Sequence, residues 1–174
     1  MSIAADKKLI EDTLKEYRRR LDTIPDDQFN AMPPGGGWSY GEVYSHILQA
    51  DLGSLIAIEK CTNGTGKVDN KRLGWFAMLI FFAGRFPPFK IKAPAKIEAA
   101  VNNIGKEEAR NLIIKLKNRM DQLIPVINKS SSFSKIKHPR LGLLNAKQWF
   151  KFIGIHTKHH LKQLERIEKK IKSA

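Results

Sequence analysis

The sequence of 174 residues predicts an all-α fold: a four-helix bundle, up-down-down-up, with a long crossover between helices two and three. Three observations carry that prediction. Apolar residues recur at steps of three and four along four long segments, the mark of helices with one buried face. Two of those segments open on a capping box, Ser39 with Glu42 and Asn145 with Gln148, in which side chains satisfy orphan amide donors at the helix start. Finally, a stretch of roughly 40 residues separates the second segment from the third. That is too long for a tight turn between antiparallel neighbours, and it suits a crossover between parallel ones.

Helix one is drawn by Ile3, Leu9, Ile10, Leu14, Tyr17 and Leu21, and should end near Thr23 because Pro25 pushes Ile24 away from helical angles. Pro25 to Gly37, with Pro33-Pro34-Gly35-Gly36-Gly37, is expected to hold no regular structure. Helix two should run from Ser39 to about Cys61, facing inward with Val43, His46, Ile47, Ala50, Ser54 and Ile58, and stop at Asn63-Gly64-Thr65-Gly66. In the crossover, Leu73 to Phe82 is expected to form a short buried helix rich in aromatics. Pro87-Pro88 and Pro94 should force an extended path after it. Helix three follows from Lys106 to about Asn128, with Ala109, Ile113, Leu116, Met120, Leu123 and Ile127 inward and two glutamates at its positive end. Lys129 to Leu144 reads as a loop. Helix four, Asn145 to Ile171, turns Trp149, Ile153, His156, His160, Leu164, Ile167 and Ile171 to the core. Residues 1–174 are read as one domain.

Composition narrows the function classes. A single cysteine, Cys61, excludes an internal disulfide framework. The first residues lack the apolar core of a secretory signal, and the run Leu73 to Gly84 is too short to span a bilayer. A cytoplasmic protein without a membrane span is expected. The net charge of +14 is uneven: residues 1–84 hold 10 Lys/Arg against 11 Asp/Glu, and residues 85–174 hold 21 against 6. Such asymmetry suits either an anionic partner (nucleic acid, membrane surface or a small anionic ligand) or a lysine-rich solvated face. No helix-turn-helix or aromatic-studded strand points to specific nucleic-acid binding. The oligomeric state stays open, a homodimer among the alternatives.

The chemistry lies in the histidines. His46, His156 and His160 occupy positions where the helical period calls for apolar residues, and His156 and His160, four apart, can aim at one point. Buried imidazoles need partners, so the spacing invites either a shared metal ion or a polar network. Nitrogen ligands suit zinc, nickel, iron, cobalt or copper over calcium and magnesium. His159 is a rival ligand, a donor behind the ligands, or plain surface. His138, before a proline, reads as structural. Asp51 lies about 140° around the helix from His46 and is expected to be a solvated or helix-pairing carboxylate. Cys61, near a helix C-terminus, is a poor nucleophile. No Ser-His-Asp grouping, phosphate-cradling glycine loop or paired core carboxylates stand out.

Two motifs resemble a known family. Trp38-Ser39-Tyr40-Gly41-Glu42-Val43-Tyr44-Ser45-His46, followed by Asp51, is similar to the second helix of the DinB/YfiT-like four-helix-bundle superfamily. His138-Pro139-Arg140-Leu141-Gly142, Gln148-Trp149-Phe150 and then His156-Thr157-Lys158-His159-His160-Leu161-Lys162-Gln163 resemble its fourth helix, with the pattern H-x-x-H-H-x-x-Q. The motifs span about a third of the chain. The resemblance implies a divalent transition metal, nickel or zinc, held by His46, His156 and His160, with His159 and Gln163 outside the ligand set and Gln163 orienting a ligand or water. It also implies a metal-dependent enzyme. The leading expectation is a transferase that activates a low-molecular-weight thiol cosubstrate, as bacillithiol-transferase-like relatives do, towards a small, anionic substrate. The alternatives are a metal-dependent hydrolase and a non-catalytic metal- or ligand-binding bundle.

Overall fold

Local signals set where each helix begins, and apolar stripes set which face it buries. The computed structural model describes residues 2–87 and 101–173. In chain order these form helices α1 (Ile3–Thr23), α2 (Asp26–Phe29) and α3 (Tyr40–Thr62), strand β1 (Lys67–Val68), helices α4 (Trp75–Ala83) and α5 (Lys106–Lys129), strands β2 (Ser134–His138) and β3 (Gly142–Asn145), and helix α6 (Ala146–Lys172). Both capping boxes form: Ser39 Oγ accepts from the Glu42 amide, Asn145 Oδ1 from that of Gln148, and each N3 side chain answers the cap's own amide. The inward stripe expected of helix three is buried at all six positions.

Side-chain pairs give the directions of the four long helices. Tyr17 meets Thr157 while Arg20, further along α1, reaches Glu165 and Glu168, so α1 and α6 run parallel. His46 lies beside His160 and Asp51 beside His156, whereas Cys61 meets Leu144, so α3 opposes α6. Arg110 pairs with Asp22 and Lys7 with Asp121, so α5 opposes α1. The order is up-down-down-up. The buried core runs between the four, from Ile10, Tyr17 and Leu21 through Ile47, Leu55 and Ile58 to Met120, Phe150 and Leu164.

Three expectations need correction. Lys129 to Leu144 is not a loop throughout, because β2 and β3 form an antiparallel hairpin in register from Lys135 opposite Asn145 to His138 opposite Gly142. Its turn is built by two residues: His138 Nδ1 accepts from the amides of Arg140 and Leu141 at 3.1 Å each, and Gly142 takes φ +77°, which a side chain would resist. Strand β1 adds to β2, giving the order β1-β2-β3. The linker after α1 contains one helical turn, α2, whose Phe29 enters the core. The aromatic helix of the crossover forms but is only half buried. Ala77, Ile80 and Phe81 face the core, while Trp75, Met78, Leu79 and Phe82 face solvent. The extended path expected around Pro94 lies outside the described residues.

One buried relay ties α1 to the neighbouring helices. Tyr17 Oη donates to the Thr157 carbonyl at 2.9 Å, Tyr44 Oη donates to the Tyr17 carbonyl at 2.7 Å, and the two rings meet edge to face at 5.4 Å. Tyr17→Phe keeps the packing and removes one donor, so it should destabilise the fold by about 1 kcal/mol. A urea titration checks this as a lower midpoint at constant slope. An unchanged midpoint would show that the bond contributes nothing net.

Candidate metal centre

His46 sits on the second turn of α3, shortly after its capped start, and His156 and His160 sit one turn apart in the middle of α6. Because α3 and α6 are antiparallel neighbours, the three rings reach the same level of the bundle. Ring centroids are 5.5 Å apart for His46 and His156, 4.8 Å for His46 and His160, and 4.7 Å for His156 and His160. One nitrogen of each lies within 4.8 Å of the other two. Among the described residues this is the one group of three or more His, Cys, Asp or Glu so placed. Nitrogens shared by one ion at about 2.0–2.1 Å lie about 3–4 Å apart, so a small movement of the rings closes the set.

Two of the rings are held from behind. His156 Nδ1 lies 3.0 Å from Asp51 Oδ1, and His160 Nδ1 lies 2.7 Å from Gln163 Oε1. With each Nδ1–H donating to its oxygen, the lone pair of each Nε2 is left for a ligand role, the arrangement that fixes metal-binding imidazoles elsewhere. Asp51 is fully buried, and its Oδ2 has no hydrogen-bond partner among the described residues. Burial pushes its carboxyl well above the usual range. A cation on the far side of His156 would offset that cost, so the donors present fit a divalent metal.

The imidazoles are kept uncharged. Burial, helped by the nearby His156 and His159, pushes His46 down to about 4, and burial alone pushes His156 down to about 3. His160 is held well below the ordinary value, mainly by burial and then by the other histidines. Neutral imidazoles are the ligand form. All three are buried, each keeping 8–9% exposure. Aromatic rings wall it: Trp38 lies 5.1 Å from His46, and Phe152 stacks on His156 at 5.1 Å.

The other sequence candidates fall into place around this group. His159 is half buried, its ring 5.0 Å from Phe86 and 5.1 Å from His160, outside the converging three. His138 caps the hairpin turn and packs on Phe152 at 4.5 Å, a structural part as expected. Cys61 is buried with its thiol pushed up to about 11, which suits packing and not attack. Of the two roles expected of Asp51, solvated or helix-pairing carboxylate, the structure shows the second. It is no solvated carboxylate but joins α3 to α6 through His156. A usable signal existed, since Ile47, Asp51, Leu55 and Ile58 step 4, 4 and 3 along one buried stripe. Phe86, beside His159, had no periodic signal to mark it.

Comparison with known proteins bears on the fold and the family. Over 161 residues the chain is 24% identical to YuaE of Bacillus subtilis, a protein described as uncharacterized, covering 91% of this chain and 94% of that one. Its fold resembles that of YfiT from Bacillus subtilis, described as a probable metal-dependent hydrolase with an unusual four-helix bundle topology, with a TM-score of 0.66 at 13% identity over 97% of this chain and 89% of that one. TT2238, a four-helix bundle protein, aligns with a TM-score of 0.53 at 16% identity over 95% of this chain and 99% of its own. The mycothiol-dependent maleylpyruvate isomerase gives 0.58 at 11% identity, covering 90% of this chain and 58% of that longer protein. At such identities these structures speak for the fold. The sequence profile of the DinB superfamily matches residues 9–164, so the chain belongs to that superfamily.

Proposed function

We propose that this protein is a metal-dependent enzyme in which His46, His156 and His160 hold one divalent transition metal, nickel or zinc, and that it transfers a low-molecular-weight thiol to an electrophile. The convergence of three neutral, buried imidazoles, two of them braced by Asp51 and Gln163, carries the metal reading. Likeness in fold to a mycothiol-dependent isomerase favours the thiol. A bound divalent metal supplies positive charge that favours the deprotonated form of a thiol or water beside it.

The chain's own residues do the rest. Asp51 and Gln163 hold the hydrogens of His156 and His160 on Nδ1 and fix both rings. Trp38, Phe86 and Phe152 exclude water from the flanks of the site. His159, half buried and held neutral near 4 chiefly by burial, offers a proton acceptor at the rim. In the transfer, the thiol loses its proton, its sulfur bonds to an electrophilic carbon, and the leaving group departs with the electron pair of the broken bond. The basic second half of the chain suits an anionic thiol or electrophile. Likeness to YfiT supports hydrolysis as the second reading, with water in place of the thiol.

Protein purified without a polyhistidine tag should carry one divalent metal per chain by elemental analysis, and His46→Ala and His160→Ala should each abolish it while circular dichroism stays helical. With bacillithiol, mycothiol or glutathione and a chromogenic haloarene, conjugation should disappear in the same variants. Metal-loaded protein that cleaves ester or amide substrates but conjugates no thiol would move the assignment to the hydrolase, and loaded protein inert in both assays would leave a binding bundle.

Asp51→Asn keeps an oxygen for His156 Nδ1 and removes the charge. It should weaken metal binding by about 10–100-fold in a chelator competition, and equal affinity would exclude a role for the carboxylate.

Acid should unfold the metal-free protein early. All five histidines have folded values below 6.5, so the stability they contribute is present above 6.5 and drains away as pH falls from there through about 4. Asp51 and Asp6, both raised above 3.8 by burial, act in the opposite sense, but they are two groups against five. Denaturation midpoints should therefore fall steadily between pH 6.5 and 4, and a flat profile would contradict the buried placement of these rings.

A further inference from the structure

Helix α4 is built from Trp75-Phe-Ala-Met-Leu-Ile-Phe-Phe-Ala83 without one charged side chain, yet it packs by one face only. Ala77, Ile80 and Phe81 enter the core. Trp75, Met78, Leu79 and Phe82, at steps of 3, 1 and 3, form a single outward stripe, with Trp75 79% and Phe82 92% exposed. Large aromatics standing together in water mark an interaction surface. The charges around the stripe have one dominant sign. Residues 67–87 hold Lys67, Lys71, Arg72 and Arg85 against the single acid Asp69. Of these, Lys71, Arg72 and Arg85 are exposed at the two ends of the helix. Among the described residues no ion pair is recorded for those three side chains.

We propose that α4 is a peripheral docking element for an anionic lipid bilayer, with Trp75, Met78, Leu79 and Phe82 inserted at the level of the headgroups and Lys71, Arg72 and Arg85 against lipid phosphates. Aromatic and aliphatic side chains flanked by lysine and arginine are the composition that lies in the membrane interface. The element rests on the surface and does not cross it: no helix of the described residues is long and apolar enough to span, and α4 is about 13 Å long against the roughly 30 Å of a hydrocarbon core. A second copy of the chain is a poorer occupant. Two molecules of net charge +14 repel, and four side chains on a nine-residue helix cannot supply the roughly 800 Å² per partner of a stable interface. Net positive charge is instead complementary to anionic lipid. Helix α4 leads through Arg85 to Phe86, whose ring meets His159, so a docked α4 would place the rim of the histidine site close to the bilayer.

The test is co-sedimentation of the full chain with vesicles of phosphatidylcholine alone and of phosphatidylcholine mixed with phosphatidylglycerol. Binding to the mixed vesicles should exceed binding to the neutral ones by at least about tenfold and should collapse at high salt. Tryptophan emission should shift to the blue on binding, because Trp75 is the exposed one of the three tryptophans, Trp149 being buried and Trp38 partly buried. Trp75→Ser and Phe82→Ser should each weaken binding about tenfold, and Arg72→Glu with Arg85→Glu should do so at least as strongly. All four side chains stand in solvent, so circular dichroism should match the parent. Three results overturn the proposal: equal binding to both vesicles, full binding by the Trp75→Ser/Phe82→Ser double variant, or a dimer in light scattering that Phe82→Ser dissociates.

Discussion

Three uncharged imidazoles inside the apolar interior of a bundle are the constraint to which the surrounding structure answers. An imidazole carries two nitrogens, and each asks for a partner when water is withdrawn. Asp51 and Gln163 answer one nitrogen of His156 and of His160. One nitrogen of each ring lies within 4.8 Å of one nitrogen of the other two, a spacing that a shared cation or water would bridge. Hydrophobic residues of similar volume would pack the same helices with no such demand. The buried carboxylate of Asp51 adds to that demand with the opposite charge, so that cation and carboxylate would each relieve a cost that the other leaves.

How much of this was legible in the sequence depends on the kind of signal. Helix boundaries were legible because they are local: Ser39 with Glu42, Asn145 with Gln148 and the proline after α1 act within a few residues. The facing stripes were legible because burial follows helical period, and the same period placed His46, His156 and His160 inward. The hairpin was not legible. Its strands are four and five residues long, its turn depends on His138 accepting two amides, and neither fact shows in a hydrophobic pattern. The half-exposed face of α4 was hidden for the opposite reason, since an uninterrupted apolar run reads as buried whether or not anything covers it. The angle from His46 leaves Asp51 either solvated or helix-pairing, and the stripe of Ile47, Leu55 and Ile58 to which it belongs is what decides for the second.

Fold likeness and site chemistry contribute different things. The bundle is shared with proteins at 11–16% identity, a range in which backbone course persists while side chains turn over. A shared fold hosts many chemistries. What narrows the choice here is local: among the described residues the converging atoms are nitrogens, with no carboxylate or thiolate, and aromatic rings flank them. Such a donor set favours a transition metal over calcium or magnesium whichever relative the backbone resembles.

The level at which His46 arrives is decided outside the site. One turn of slide between α3 and α6 moves a side chain by about 5.4 Å, as far as the 5.5 Å between the centroids of the His46 and His156 rings. Interior apolar packing tolerates such a slide better than directional bonds do, so the directional bonds are what fix it. At the start of α3, Ser39 Oγ donates to Asn103 Oδ1 at 2.8 Å, and Asn30 Nδ2 donates to the Ile104 carbonyl at 3.2 Å, tying the segment after α1 and the cap of α3 to the residues just before α5. Lys106 reaches back to the Ile24 carbonyl and to Asp26. At the other end, Cys61 meets the Leu144 carbonyl and Arg119 pairs with Glu59. Helix α3 is thus pinned at both ends, and Asp51 completes the alignment from the middle. The carboxylate that braces His156 is also the polar contact that sets α3 against α6 at the height of the site, so a single buried bond serves both the packing of the helices and the geometry of the candidate centre.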